Sequence, residues 1–192
     1  MIKHKNSLLK LGLSLTLLVS THALLAKSTQ TIYSDDQLSG KFTSWGIDPK
    51  YKKSSINLKD SWKKFKKNKD ITVAIVDTGI QYNHPFLRKN ITTLEGQLSA
   101  QNYGKDFSHK KAMNTPSDNH GHGTHVAGIV KSIFPEVKLL PLKYYNPQAS
   151  GKANLDSTIK ALKYAVEQNV DIINYSGGGA SSSEEEKAIL LE

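Results

Sequence analysis

The chain is predicted to be an α/β domain with a mostly parallel sheet flanked by helices, and three observations carry that reading. Three apolar runs read as strands: Ile71 to Val76, which suits a strand buried on both faces, Val137 to Lys143, and Asp171 to Tyr175 as a third buried strand. Helical stretches, Gly123 to Phe134 and Asn154 to Asn169, follow the first two, the alternation that parallel pairing requires. Chemistry-bearing residues stand where strands end: Asp77-Thr78-Gly79 after the first, Ser176 and a glycine run after the third. Functional groups of open α/β sheets gather at such carboxyl ends.

The elements follow in order. Lys3, His4, Lys5 and Lys10 lead into sixteen uncharged residues, Leu11 to Ala26, and then Lys27. A basic head, an apolar stretch and a small-residue exit make residues 1–26 a signal peptide, cleaved after Ala23 or Ala26. A spanning helix needs ~20 apolar residues, and this run is diluted by Gly12, Ser14, Thr16, Ser20 and Thr21. An uncleaved anchor is the alternative. The expectation is export, to the medium or the periplasm and cell envelope, without stable membrane insertion. Residues 27–44 form a short polar extension ahead of a domain over 45–192, and polar character persists to residue 57.

Leu58 to Lys67 is expected as a short helix burying Leu58, Trp62 and Phe65. Residues 81 to 121 are loop-rich, with His84-Pro85, Asn102-Tyr103-Gly104 and Asn114-Thr115-Pro116. Pro135 ends the next helix. A loop holding Asn146-Pro147 and Ser150-Gly151 leads to a helix capped by Asn154, with Leu155, Ile159, Leu162 and Val166 along one face. Ser183-Glu184-Glu185-Glu186 is a capping box with carboxylates at the positive helix end. The apolar face begun by Ala188 to Leu191 is expected to meet nothing, leaving the fold incomplete at its C-terminus.

The bulk composition excludes several classes. A chain of 192 residues has room for one ordinary domain. The formal charge is +9; beyond Lys10, 23 basic residues face 17 acidic ones. Eight lysines crowd between Lys52 and Lys69. No nucleic-acid motif accompanies them, so a solvated helix face is the reading and no nucleic-acid partner is expected. The absence of cysteine removes disulfides, thiolate metal sites and a Cys nucleophile together.

The densest chemistry lies in two motifs whose charged residues, Asp77 and His122, stand 45 positions apart. Val73 to Ile80 is an apolar strand ending on a carboxylate and a glycine turn. His120-Gly121-His122-Gly123-Thr124-His125 places imidazoles at the mouth of a small-residue helix. A serine hydroxyl is a poor nucleophile until an imidazole takes its proton. That imidazole holds the right tautomer when a buried carboxylate accepts its other N–H. Gly121 and Gly123 let backbone approach His122, and Thr124 is placed to bond back to the helix turn. Taken alone, Asp77 equally suits a turn or cap carboxylate, and His122 or His125 a helix-terminal histidine. His84 and His109 read as ordinary surface residues.

Val-Ala-Ile-Val-Asp-Thr-Gly-Ile, then His-Gly-Thr-His-Val-Ala-Gly from His122, then Asp171-Ile172-Ile173-Asn174-Tyr175-Ser176 with its glycines, resemble successive blocks of the subtilisin-like serine proteases. The resemblance runs from about Ser44 to Glu192, and Trp45-Gly46-Ile47 is similar to the start of many such catalytic domains. It implies a three-layer fold and a serine endopeptidase acting on peptide or protein substrates. Asp77 would be the orienting carboxylate and His122 the general acid/base, in the family's order Asp, His, Ser. Ser176, Gly177 and Gly178 would pair with an extended substrate, with Ser150 and Gly151 on the opposing edge. Gly177 replaces a larger apolar residue common there, so a wider or flatter subsite is expected.

The departures are equally specific. The Gly-Thr-Ser block that opens the nucleophile helix is missing, as is the oxyanion-hole asparagine. No serine present, Ser181 to Ser183 included, stands in a comparable elbow. Loss of the nucleophile costs on the order of 10⁶ in turnover in this family, so these 192 residues alone are expected to be inactive. Phe86 stands where many relatives place a calcium-binding carboxylate, so no cofactor is expected. Two other readings stay open. His120, His122 and His125 approach metal-ligand spacing, the pattern of a metallohydrolase, although Thr124 replaces the acidic residue such a motif wants. A vestigial or non-catalytic exported peptide-binding protein is the third.

Overall fold

The computed structural model describes residues 45–47, 51, 53–56, 58, 69–178 and 183–191. The signal peptide, the extension over 27–44 and all but Leu58 of the helix expected over 58–67 lie outside the described residues. Four strands form one sheet: β1 (Thr72–Asp77), β2 (Lys105–Asp106), β3 (Lys138–Lys143) and β4 (Ile172–Tyr175). Their order is β2-β3-β1-β4 with every neighbour parallel. The helices are α1 (His122–Ile133), α2 (Gly151–Glu167) and the short α3 (Glu184–Ile189).

Alternate residues of β1 supply two cores, because successive side chains of a strand point to opposite faces. Val73 and Ile75 pack with Leu139, Leu87, Ile80 and Ala127 on the α1 side. Ala74 and Val76 pack with Leu140, Leu142, Ile159 and Leu162 on the α2 side. Each large apolar side chain so buried contributes roughly 1.5–3 kcal/mol. A strand covered on both faces reads as a continuous apolar run, which is why β1 and β3 are conspicuous in the sequence.

Several expectations need correction. Helix α2 begins one turn early, at Gly151, with Ser150 as its cap: the Ser150 hydroxyl accepts from the Ala153 N–H at 3.2 Å. Asn154 instead clamps the preceding loop, accepting from the Asn146 N–H and donating to the Asn146 carbonyl at 2.9 and 3.0 Å. The third run is not buried on both faces. Among the described residues β4 lies at an edge of the sheet, and Ile172 is 53% exposed. Strand β2, two residues long, carries no readable period and was not anticipated.

The Ser183 half of the capping box forms, its hydroxyl accepting from the Glu186 N–H at 3.2 Å, while the Glu186 carboxylate accepts from the Tyr175 hydroxyl at 3.4 Å. The apolar face that follows does find a partner: Ile189 is buried in the α2-side core, whereas Leu190 and Leu191 are exposed. Among the described residues no helix is long and apolar enough to cross a membrane.

Candidate active site

The chain reverses its direction of winding at β1. From β1 it passes through α1 to β3 on one side, then through α2 to β4 on the other. Such a switch opens a crevice beyond the carboxyl end of the central strand. Asp77 is the last residue of β1, opposite Lys143 of β3, while Tyr175 of β4 pairs with Val76. The segments leaving β3 and β4 therefore flank the Asp77 carboxylate.

Asp77 is almost fully buried, and its Oδ1 accepts the Thr78 N–H at 2.7 Å. The same oxygen lies 2.7 Å from His122 Nδ1. An ionised carboxylate only accepts, so Nδ1 carries the proton and Nε2 of the neutral ring is left as the acceptor. The His122 side chain remains 46% exposed. Asp77 Oδ2 is buried with no hydrogen-bond partner among the described residues, so the bonds of the Thr78 N–H and the imidazole fall on Oδ1 alone. The arrangement holds an imidazole in one tautomer and points its basic nitrogen outward.

Two glycines allow that approach. A Cβ on Gly123 would lie 2.2 Å from the Gly79 carbonyl oxygen and 3.1 Å from Asp77 Oδ1. Gly79 has φ +104°, and a Cβ there would lie 2.4 Å from the Pro116 carbonyl oxygen. The helix start can touch the strand exit only because Gly123 lacks a side chain, while Gly79 is required by its positive φ and the adjacent Pro116 carbonyl.

Helix α1 receives no side-chain bond from its cap residue, Gly121. Buried Asp118 binds the helix start instead. Its Oδ1 accepts from the His120 and Gly121 N–H groups at 2.9 and 2.8 Å and from the Thr78 hydroxyl at 2.9 Å. Its Oδ2 accepts from the Thr124 N–H at 2.9 Å and hydroxyl at 2.6 Å. Burial works against the charged form, but the bonds from Thr124, Gly121 and His120 outweigh it and hold this carboxyl below the usual aspartate range. Thr124 thus bonds to Asp118 rather than back to the helix turn. Thr78 Oγ1 also accepts the Gly123 N–H at 2.9 Å.

Asp118 and Thr78 were not singled out by sequence reasoning. An Asp-Asn pair ahead of a glycine-flanked helix start was the available signal, because aspartate commonly binds backbone N–H groups two residues on.

The remaining predicted residues lie on the segments that leave β3 and β4. Ser150 and Gly151 open α2, while Ser176, Gly177 and Gly178 are exposed beyond β4. Ser176 Oγ accepts from Asn174 Nδ2 at 2.8 Å. The space over Gly177 is not open, as its lost side chain had suggested. A Cβ there would lie 2.3 Å from Tyr144 Oη and 2.4 Å from Tyr175 Cε2, so two tyrosine rings fill it.

A cavity of about 300 Å³ beside His120 is lined by Thr78, Asn119, Lys143 and Tyr145. His120 meets the His122 and Tyr145 rings edge-on, with centroids 6.2 and 6.0 Å away. Among the described residues no group of three His, Cys, Asp or Glu side chains is placed to hold a metal ion, so the spacing of His120, His122 and His125 does not become a cluster. His84 stands apart from the site, its Nδ1 accepting from the Phe86 N–H at 3.3 Å, whereas His109 lines the same cavity as His120 and its Nε2 lies 3.9 Å from Asp106. At Phe86, the Lys131 ammonium lies 4.3 Å from the ring centroid.

The chain is similar to known serine proteases. The major intracellular serine protease of Bacillus subtilis is 36% identical over 132 residues, covering 64% of this chain and 39% of the relative. The minor extracellular protease Vpr of the same organism is 36% identical over 134 residues, covering 64% of this chain and 16% of the relative. The crystal structure of a lanthipeptide protease is similar with a TM-score of 0.46 and 27% identity, over 63% of this chain and 33% of that one. The chain spans well under half the length of these relatives. The sequence profile of the subtilase family (peptidase S8) matches residues 68–190, a stretch that contains Asp77, His122 and both flanking segments. Carrying that match around a buried aspartate bonded to an exposed histidine, the chain belongs to the subtilase family of serine proteases.

Proposed function

We propose that this chain carries the orienting aspartate and the proton-transferring histidine of an exported serine endopeptidase. The single observation behind this reading is the 2.7 Å contact between buried Asp77 and Nδ1 of exposed His122. The nucleophilic serine comes from sequence following these blocks, in the family's order. His122 Nε2 takes the serine proton as the hydroxyl attacks the scissile carbonyl, then returns it to the leaving amine. Asp77 stays ionised throughout and stabilises the imidazolium. The substrate strand lies between the segment at Ser150-Gly151 and the segment at Ser176 to Gly178, held by main-chain bonds. Residues 45–192 are then part of a peptidase domain, and residues 1–26 direct export. The relatives include both intracellular and extracellular proteases, so the basic, apolar N-terminus is what favours export.

The test is peptide turnover and fluorophosphonate labelling of the complete gene product. His122→Ala should remove nearly all activity, and Asp77→Asn should cost ~10⁴ because the amide favours the wrong tautomer. His120→Ala should cost little. Residues 1–192 alone should not label. Stoichiometric labelling of a serine within them, or His120→Ala losses equal to those of His122→Ala with rescue by zinc, would replace this reading.

A further inference from the structure

We propose that Asp118 is the positioning residue of the Asp77–His122 pair, clamping the exit of β1 to the start of α1 so that His122 Nδ1 meets Asp77. The inference rests on reading that pair as a proton-transfer unit. Five hydrogen bonds converge on the Asp118 carboxylate, and they come from both sides of the gap. Thr78, next to Asp77 in the chain, supplies one. His120, Gly121 and Thr124, which bracket His122, supply the others. Thr78 Oγ1 closes the ring by accepting from Gly123, next to His122 on its other side.

The Asp77–His122 contact alone does not hold the two elements together, since the His122 side chain is 46% exposed and reaches Asp77 through two rotatable torsions. Asp118 is 3% exposed, so its bonds are shielded from competing water. A simple capping role would need only the four bonds to the helix start and would leave the Thr78 bond without purpose. The bond from Thr78 is what turns a cap into a clamp.

The experiment is imidazole ¹H–¹⁵N NMR of residues 1–192, read beside thermal melting. The readout is the downfield Nδ1–H proton of His122 and its share of the neutral tautomers. The other titratable groups facing the ring are Asp77 and His120, so Asp77→Asn serves as the control that loses the signal. Asp118→Ala and Thr78→Val should each lower the Nδ1–H share at least twofold, and Thr78→Ser should restore it. In the complete gene product Thr78→Val should reduce kcat about 10²-fold with KM unchanged, the loss expected of a displacement of about 1 Å.

Thr78→Val separates the two roles because it removes both Thr78 bonds across the gap, to Asp118 and from the Gly123 N–H, and keeps every Asp118 bond to the helix start. A folded Asp118→Ala or Thr78→Val protein with the unaltered Nδ1–H signal would overturn the proposal. Unfolding of both variants would also overturn it, assigning the network to stability alone. The NMR readout needs no nucleophile, so absence of serine-dependent turnover would refute the protease reading while leaving this one to stand or fall on the tautomer.

Discussion

Replacing Gly123 by alanine tests how tightly α1 is held against β1. The new Cβ would lie 2.2 Å from the Gly79 carbonyl oxygen, with Asp77 Cβ and Oδ1 each 3.1 Å away. The obstructing atom is main chain on a turn that is itself pinned against Pro116, so no rotamer change relieves the clash. Relief to ordinary contact moves the helix start by about 1 Å, and overpacking of this kind costs roughly 1–3 kcal/mol. The upper end applies because the obstruction is backbone.

Alanine returns up to about 1 kcal/mol through helix preference, leaving a net loss of about 2 kcal/mol. For a protein of this size that lowers the melting temperature by about 4–8 °C. The same displacement stretches the 2.7 Å bond between His122 and Asp77 beyond hydrogen-bonding range. Circular dichroism melting and the His122 Nδ1–H proton signal measure the two effects independently. A variant that melts with the wild type and keeps the proton signal would show that the two elements are not in closed contact, and the reasoning would fail.

Two further outcomes follow from the packing around the sheet. Asn90 donates from Nδ2 to the Pro135 and Val137 carbonyls at 2.8 and 2.7 Å, tying the long loop to the entry of β3. Asn90→Ala should therefore cost roughly 1–3 kcal/mol, read as a lower urea midpoint with unchanged slope. Tyr144 has its pKa pushed up to about 12 by burial and by the neighbouring Tyr175, Asp77 and Tyr145 charges. A raised folded-state value contributes stability that is complete below the unfolded tyrosine value near 10 and lost as pH rises towards about 12. Phenolate absorbance should rise late for this residue, and Tyr144→Phe should flatten the alkaline loss of stability between those limits.

The two buried strands and the helices between them were legible in the sequence for one physical reason. Strands covered on both faces must be apolar throughout, and amphipathic helices must place apolar residues on one side. The glycines around Asp77 and His122 were legible too, since a backbone approach of this closeness tolerates little else. Cap positions were not. Ser150 and Asn154 are both good caps by residue type, and only the loop at Asn146 decides which one ends the helix and which one clamps the turn. The same applies to Ile189, whose burial depends on where α2 and the sheet leave a gap.

Sequence alone determined the fold class and the family resemblance, and singled out the aspartate and histidine that the structure brings into contact, because strand periodicity and short-range glycine spacing are local properties of a chain. Tertiary structure decided the rest. It placed β4 at an edge among the described residues, filled the space over Gly177 with Tyr144 and Tyr175, and drew Asp118 across to Thr78, 40 positions away. Each of these depends on packing between segments distant in sequence, and no local pattern of residues encodes a distance across the fold.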